Sequence, residues 1–275
     1  MPHRQIRRCA LAFALAALVF PPGGQARDGI GRVVAQPNRL TAGTANNTIT
    51  FTYTADAAAL RGQLHFVVPP GWTAPQVSNA ARPGYVRIAR RGCAAATRVV
   101  SVRGRTVSID AVCRRGTAFR LAYSGVLAPT LAAPGYTFLT ASRTPAKNGR
   151  PARFLPLAPL KQPIVAVIGG PVDHLQITTT SVAIAGASFS LTVRPIDVYG
   201  NTARDATGAY YSPTVTLTST DAKATLPAPY TFVANDFGTH TFRGLVLNTP
   251  GTQTIHVSDQ HGVTGDSLPI TVWPY

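Results

Sequence analysis

Short segments in which apolar and polar residues alternate recur along most of this chain. Ile49, Phe51 and Tyr53 alternate with threonines, and the same pattern returns over 64–68. A period of two places the apolar side chains on one face of an extended strand. Gly- and Pro-containing turns separate these segments, so the chain is predicted to fold into β-sheets.

The composition favours the same fold class. The chain contains no Glu and only three Lys, so residues that promote helices are scarce. Gly and Pro account for 24 and 23 of the 275 residues, and 45% of the chain is hydrophobic. This content is turn-rich but sufficient for a buried core, which argues against disorder. We predict an all-β protein and exclude helical bundles and coiled coils.

Residues 1–26 have the organisation of a secretory signal peptide. Arginines within 1–8 precede an uncharged apolar run over 9–20, and the segment ends on the small residues Gly24 and Ala26. The apolar run is shorter than the roughly 20 residues that span a bilayer. We expect cleavage after Ala26 and export to the medium, the cell surface or the periplasm, with no transmembrane segment in the mature chain. A buried N-terminal helix is the alternative.

Two cysteines remain after this cleavage, Cys93 and Cys113. In an oxidising compartment such a pair is typical of a disulfide. The residues between them alternate as in a β-hairpin, and a turn at 103–104 would set Val100 opposite Val107. Continuing that register brings the two cysteines within one residue of each other, so we predict that they are bonded.

Turn-forming residues divide the chain in two. Five prolines over 144–163 indicate an extended loop, and the apolar stretch 164–168 is predicted to be a strand. Gly169-Gly170-Pro171 then marks a domain boundary. We predict a basic N-terminal β-sandwich over 27–170 and a second β-sandwich over 171–275. The second half contains about seven short alternating segments, which is typical of an immunoglobulin-like fold.

Four segments of the second half carry a family resemblance. They are A-G-A-S-F-S-L-T-V-R-P-I-D-V-Y-G-N-T (185–202), V-T-L-T-S-T-D-A-K-A-T-L-P-A-P-Y-T-F (215–232), G-T-H-T-F (238–242) and T-P-G-T-Q-T-I-H-V-S-D (249–259). With them, residues 171–272 resemble a bacterial immunoglobulin-like repeat of large surface and secreted proteins. The resemblance implies a β-sandwich that serves as a spacer, stalk or adhesive module.

The first half has a looser resemblance. Its segments N-R-L-T-A-G-T-A-N-N-T-I-T-F-T-Y-T (38–54), V-V-P-P-G-W-T-A-P-Q (67–76) and P-G-Y-T-F (134–138) are similar to an exported β-sandwich of bacterial envelope proteins. This resemblance implies a fold and a compartment, but no activity.

Motifs of catalysis are missing from the sequence. It contains no G-x-S-x-G elbow, H-E-x-x-H helix, P-loop or dinucleotide fingerprint. His256, Asp259 and His261 form the only local His/Asp cluster, and their position at a strand end favours solvent-facing residues over a site. We predict no catalytic residue, no cofactor and no metal site, and therefore no enzyme.

Three further positions have two interpretations each. Asp197, with Gly200 and Asn201, could bind calcium, but Asp and Asn are also favoured in turns because they cap them. Trp72 could present an aromatic face to a sugar, or it could close the core at a strand end. His240 shares a face with Phe242 and is interpreted as a packed histidine and not as a ligand.

The two halves differ strongly in charge. Residues 27–161 contain 19 Lys and Arg against 3 Asp, whereas residues 162–275 contain 4 against 7. The Arg fork suits phosphate, sulfate and carboxylate groups. The alternative is that the arginines reflect genome composition and merely keep the domain soluble. The candidate polyanion-binding residues are Arg87, Arg90, Arg91, Arg98, Arg103, Arg105, Arg114 and Arg115.

These observations predict an exported, non-enzymatic protein with a structural or adhesive role in the bacterial envelope or medium. The alternative is a binding module for an anionic glycan or polymer, in which the Arg-rich first domain binds and the immunoglobulin-like domain acts as a spacer. The expected partner is an anionic envelope polysaccharide or another surface protein, with no dedicated role for nucleic acid.

Overall fold

The computed structural model describes residues 28–145 and 152–275, and strands dominate both ranges. The helical segments within them are short 3₁₀ turns at Pro159–Lys161 and Ala234–Asp236. No helix in these ranges is long and apolar enough to cross a membrane. The all-β prediction is confirmed, while the predicted signal peptide, 1–26, lies outside the described residues.

The first half of the described chain forms three sheets, which we call the first sandwich. Their strand orders are β1-β3-β8-β5, β11-β10-β4-β7-β6 and β2-β12-β9. The strands are β1 (Arg32–Gln36), β2 (Arg39–Thr41), β3 (Asn47–Thr54), β4 (Leu60–Val67), β5 (Tyr85–Arg91), β6 (Arg98–Arg103), β7 (Thr106–Cys113), β8 (Ala118–Val126), β9 (Ala133–Thr137), β10 (Thr140–Arg143), β11 (Leu155–Pro156) and β12 (Ile164–Ile168).

Alternation in the sequence accounts for the core of the first sandwich. Strand β3 alternates buried and partly exposed residues over its length, as does β7. The centre of the Phe51 ring, in the four-stranded sheet, lies 4.5 Å from that of Phe66 in the five-stranded sheet and 4.8 Å from that of Phe138. The aromatic cluster therefore joins the two larger sheets. The buried Tyr53 hydroxyl donates to the carbonyl of Ile30 at 2.9 Å. Burying an aromatic side chain of this size contributes about 1.5–3 kcal/mol, so this cluster holds the sheets together.

The β6–β7 hairpin forms with a different register from the predicted one. Its turn is Gly104-Arg105 and not 103–104, and Val102, not Val100, lies opposite Val107. Gly104 has φ +55°, which suits the first central position of a two-residue hairpin turn. The register then shifts by one residue between Val99 and Ser101.

A disulfide joins Cys93 and Cys113, whose Cα atoms are 4.6 Å apart, as predicted. A local turn brings them together, because Thr97 N–H donates to the Ala94 carbonyl at 2.9 Å. Ala94 N–H donates in turn to the Val112 carbonyl at 2.9 Å. The pairing therefore depends on this turn and not on a simple continuation of the hairpin.

The second half of the chain forms the second sandwich. Its sheets have the orders β13-β15-β18, β14-β22-β19 and β17-β16-β20-β21. The strands are β13 (His174–Thr179), β14 (Val182–Ile184), β15 (Ser188–Ile196), β16 (Thr214–Ser219), β17 (Tyr230–Thr231), β18 (His240–Val246), β19 (Gly251–Gln253), β20 (Ile255–Asp259), β21 (Thr264–Asp266) and β22 (Ile270–Trp273).

The topology of the second sandwich is immunoglobulin-like. Strand β13 pairs antiparallel with β15. Between these two strands the chain changes sheets, and β14 pairs parallel with the last strand, β22. Leu191 and Val193 of β15 share one buried cluster with Val257 of β20 from the opposite sheet. Leu268 lies outside β22 and is 80% exposed, because Pro269 separates it from the start of that strand.

Replacement of Cys93 and Cys113 by Ser should lower the free energy of unfolding by about 3 kcal/mol, because the bond closes a 20-residue separation in the unfolded chain. Urea denaturation of the variant and the wild type measures the difference. Wild-type protein unfolded under reducing conditions is the control, since it loses the same bond without a substitution. Equal stabilities of oxidised wild type and variant would contradict the expectation.

Candidate functional site

The two sandwiches are joined by the connector, residues 169–173, and the turn after β15 holds it. Asp197 begins that turn and is only 1% exposed. Its Oδ2 accepts a hydrogen bond from Gly170 N–H of the connector at 2.7 Å. Its Oδ1 accepts from Tyr199 N–H at 2.9 Å and from Asn201 N–H at 2.8 Å. One carboxylate therefore closes its own turn and fixes the connector.

Asn201, at the end of the same turn, reaches into the first sandwich. Its side-chain Nδ2 donates to the Thr130 carbonyl at 2.8 Å and its Oδ1 accepts from Ala132 N–H at 2.8 Å. Nδ2 also donates to Asp197 Oδ2 at 2.9 Å. We call Asp197, Asn201 and their partners Gly170, Thr130 and Ala132 the interdomain latch.

The geometry of Asp197 favours a turn cap over a calcium ligand. Burial alone would raise its pKa, but hydrogen bonds from Gly170 and Asn201 outweigh burial and the pKa lies below its ordinary value. Both oxygens already face N–H donors, whose positive ends would repel a cation. Across 28–145 and 152–275, no group of three or more His, Cys, Asp or Glu residues is placed to hold a metal ion.

Asp221 has a similar structural role at the other end of the second sandwich. Its Oδ2 accepts from Asn248 N–H at 2.6 Å and from Thr249 N–H at 2.9 Å, while its Oδ1 accepts from Lys223 N–H at 2.9 Å. Burial opposes ionisation, but these bonds and the Thr249 hydroxyl lower the pKa of Asp221 to about 2. The carboxylate ties two loops together.

The His/Asp cluster noted in the sequence does not converge on one site. The buried Asp259 accepts hydrogen bonds from the Tyr211 hydroxyl and from the backbone N–H groups of His261 and Val263, at 2.8–2.9 Å. His256 instead lies 2.8 Å from a different carboxylate, Asp266 Oδ1, on the solvent side. The cluster therefore fixes a turn.

Two aromatic positions are also packed. Trp72 is 3% exposed, and its ring meets Phe138 edge-on at 5.1 Å, so it closes the core and offers no open face to a sugar. His240 stacks on the ring of Tyr230 at 3.6 Å. Both positions follow the packed interpretation of the sequence.

The candidate arginines are distributed over both large sheets of the first sandwich. The outward faces of these two sheets point in opposite directions, so the exposed Arg87 of β5 and Arg98 of β6 do not share one surface. The side chains of Arg90 and Arg91 lie outside the described part of the structure. The positions are Arg87, Arg90 and Arg91 in β5, Arg98 and Arg103 in β6, Arg105 in the hairpin turn, and Arg114 and Arg115 in the exposed β7–β8 connection.

The guanidinium of Arg105 is engaged inside the protein. Its Nε donates to the Val68 carbonyl at 2.9 Å, and its Nη2 donates to the carbonyls of Pro69 and Trp72 at 2.5 and 2.6 Å. These bonds hold the loop that carries Trp72 over the core. This arginine is therefore a structural residue of the first sandwich.

The sequence did not reveal that several arginines share the outer side of the β1-β3-β8-β5 sheet. Strands β1, β3, β5 and β8 contain five arginines and no acidic residue. Arg32, Arg87 and Arg120 are exposed on the outer side of this sheet, among outward-facing threonines of β3. We call these three arginines, with Thr50, Thr52 and Thr54, the basic face. In the register, Arg32 lies opposite Thr54, and Arg120 lies opposite Thr52.

The outer side of the five-stranded sheet differs, since its cations are partly paired. Arg98 Nε lies 4.0 Å from Asp110 Oδ2, and Asp110 Oδ1 accepts from Gln63 Nε2 at 2.9 Å. The Gln63 amide oxygen accepts from Arg143, whose guanidinium lies 4.5 Å from the centre of the Phe154 ring. A ladder of polar side chains thus crosses these strands.

Comparison with known proteins gives no family. No family model matches the chain, and no curated protein matches it. Among solved structures, the adhesin InvE of Yersinia pseudotuberculosis is 15% identical, with a TM-score of 0.29, over 90% of this chain and 61% of that one. A C-terminal intimin fragment in complex with the intimin-binding domain of its translocated receptor is 13% identical, with a TM-score of 0.24, over 88% and 64%.

A β-glucuronidase of Parabacteroides merdae is 8% identical, with a TM-score of 0.28, over 88% of this chain and 24% of that one. The chain thus spans less than two thirds of each of these structures. With TM-scores of 0.29 or less, these likenesses establish neither a shared fold nor a shared function. The immunoglobulin-like arrangement of the second sandwich is defined by its own strand pairing.

The Asp197→Asn variant should lower the free energy of unfolding at pH 7 by about 2–3 kcal/mol, because an amide replaces a charged acceptor of several N–H groups. The folded-state pKa of Asp197 is depressed, so its contribution is present above the unfolded value of about 3.9 and lost as pH falls through the folded value. The difference between wild type and variant should therefore shrink in strong acid. Urea denaturation at pH 7 and at pH 2–3 measures it.

Asp173→Asn is the matched control, since this exposed connector carboxylate contacts the His174 ring at 2.8 Å. The control should leave the stability at pH 7 within about 0.5 kcal/mol of the wild type. An equal loss in the two variants would contradict the role assigned to Asp197.

Proposed function

We propose that this chain is an exported, non-enzymatic structural or adhesive protein of the bacterial envelope. The observation that carries the proposal is the use of the buried carboxylates. Asp197, Asp221 and Asp259 each accept several hydrogen bonds that close turns, tie loops or hold the connector. Acid–base catalysis needs a titratable group that can reach a reacting atom. These carboxylates instead fix loops and turns, and Asp197 also fixes the connector between the two sandwiches.

The latch supports a spacer role. Surface proteins that present a binding domain away from the cell need connections that keep successive domains in a defined arrangement. Asn201 and Asp197 connect the second sandwich to the first sandwich and to the connector through backbone groups. Backbone partners do not depend on flexible side chains, so the contact is suited to such a role.

Binding of the labelled mature chain, residues 27–275, to cells and isolated envelope polymers of its own host tests this function. The expected result is saturable retention with no change in the mass of the bound polymer. Release of smaller products, with a rate that depends on pH, would indicate an enzyme. Failure of retention on every envelope fraction would contradict an adhesive role.

A second function, the binding of an anionic polymer, is supported by the basic face. Three exposed arginines lie on a sheet whose four strands contain no acidic residue. Neighbouring threonine hydroxyls supply further donors at the same surface. A polyanion with repeated phosphate, sulfate or carboxylate groups could lie across these strands and release condensed counterions.

A triple variant of the basic face, Arg32→Gln, Arg87→Gln and Arg120→Gln, should weaken binding to heparin and to anionic envelope polymers. The slope of log affinity against log salt should fall by about 2–3, since each phosphate-like contact contributes roughly 0.7–0.9. Salt-dependent affinity chromatography and titration measure this slope.

The matched control is Arg61→Gln, Arg98→Gln and Arg103→Gln, which removes the same charge from exposed positions of β4 and β6. The control should retain most of the wild-type slope. Equal losses in the two triple variants would show that only net charge matters, and the basic face would then not be a binding surface.

A further inference from the structure

A cleft of about 470 Å³ lies between the two sandwiches, next to the connector. One wall comes from the first sandwich, over 131–134 and 166–168, and it is mostly apolar. The other wall comes from the second sandwich and includes Arg194, Arg204 and Tyr210. Clefts of this size and of mixed lining are typical of small-molecule sites.

The two arginines of this cleft are cross-strand neighbours. Ile196 pairs antiparallel with Thr202, and Ala203 N–H donates to the Pro195 carbonyl at 2.9 Å. Continuing that register places Arg194 opposite Arg204. Like charges in directly opposite positions repel each other, so this pair weakens the apo structure unless an anion lies near it.

Neither guanidinium is neutralised by a carboxylate. The ion pairs found within the described ranges do not involve Arg194 or Arg204, and no described lining residue of this cleft is acidic. Arg194 Nη2 donates to the Gly200 carbonyl at 3.0 Å, and the Arg204 guanidinium lies 3.5 Å above the ring of Tyr210. These contacts orient both groups and leave their charge uncompensated.

Both arginines also carry a buried donor without an acceptor. The Nε atoms of Arg194 and Arg204 are shielded from solvent and have no hydrogen-bond partner among the described residues. Buried donors are almost always satisfied in folded proteins, and an exception calls for a physical reason. Two such exceptions lie on neighbouring arginines of one cleft, so the described protein groups leave part of the donor capacity of each guanidinium unused.

We propose that this cleft binds a small organic anion, namely a carboxylate carried on a short apolar body. The carboxylate would lie at the paired guanidiniums, whose planar forks match its two oxygens. The apolar body would contact the wall formed by Leu131, Ala133 and Ile168, whose side chains are at least partly exposed. This site is separate from the basic face, since its arginines belong to the second sandwich, and it does not depend on either proposed function.

Titration of the ¹⁵N-labelled mature chain with N-acetyl-leucine tests the proposal. The Nε–H signals of Arg194 and Arg204 should shift together and saturably. N-acetyl-leucinamide, which lacks the charge, should leave both signals in place, and inorganic phosphate, which lacks the apolar body, should bind about tenfold more weakly or worse. Unmoved Nε–H signals, or equal binding of phosphate and N-acetyl-leucine, would overturn the proposal.

The variants Arg194→Gln and Arg204→Gln assign the two signals and should each weaken N-acetyl-leucine binding about tenfold or more, as expected for the loss of a charged hydrogen bond. Arg243→Gln, an exposed position on β18 outside the lining of this cleft, should bind as the wild type does. Loss of binding in all three variants would contradict the site. Should one variant fail to fold, the wild-type titration still decides the question.

Discussion

Asp197 lies where the two sandwiches meet, and its carboxylate sets the conditions for the rest of the arrangement. A buried carboxylate is costly unless hydrogen bonds satisfy it. Here the donors come from its own turn, from Asn201 and from Gly170 of the connector. Satisfying this one charge therefore fixes the path of the connector and presents Asn201 to the loop at 130–132. The latch also joins the two walls of the cleft beside the connector, since Ala132 and Asn201 both line it.

The two sandwiches differ in charge, since the arginines are concentrated in the first and most of the aspartates in the second. The second sandwich uses the carboxylates of Asp197, Asp221 and Asp259 to close turns or tie loops. The first sandwich carries the excess of arginine, and Arg32, Arg87 and Arg120 lie together on one outer sheet face.

Local sequence patterns were sufficient for much of the fold. Period-two alternation located most of the core strands, and the expectation of an oxidising compartment led to the predicted bond between Cys93 and Cys113, which the structure contains. The predicted register of the β6–β7 hairpin was wrong. The turn begins at Gly104, which has a positive φ, and the register shifts again near Val99; the alternation of the side chains does not reveal either feature. The buried residues form two clusters. The members of one come from residues 33–167 and the members of the other from residues 175–272, so the Gly169-Gly170-Pro171 segment lies between them in the sequence.

The candidate sites were harder to obtain from sequence, because each depends on pairing between distant strands. Arg32 and Arg120 lie on the same face only because their strands, β1 and β8, both pair with β3. The guanidinium of Arg105 donates its hydrogen bonds to carbonyls that are more than 30 residues away in the sequence. The Asp197 turn was recognised as a cap, but its second role, the contact with Thr130 and Ala132, has no local signal.

Residual dipolar couplings of backbone amides in the mature chain test the central claim that the latch holds the sandwiches in one arrangement. Couplings from β1–β12 and from β13–β22 should fit a single alignment tensor in the wild type. The same data from Asn201→Ala should require two tensors of different magnitude. Two distinct tensors in the wild type would contradict the account, since the sandwiches would then reorient independently despite the latch.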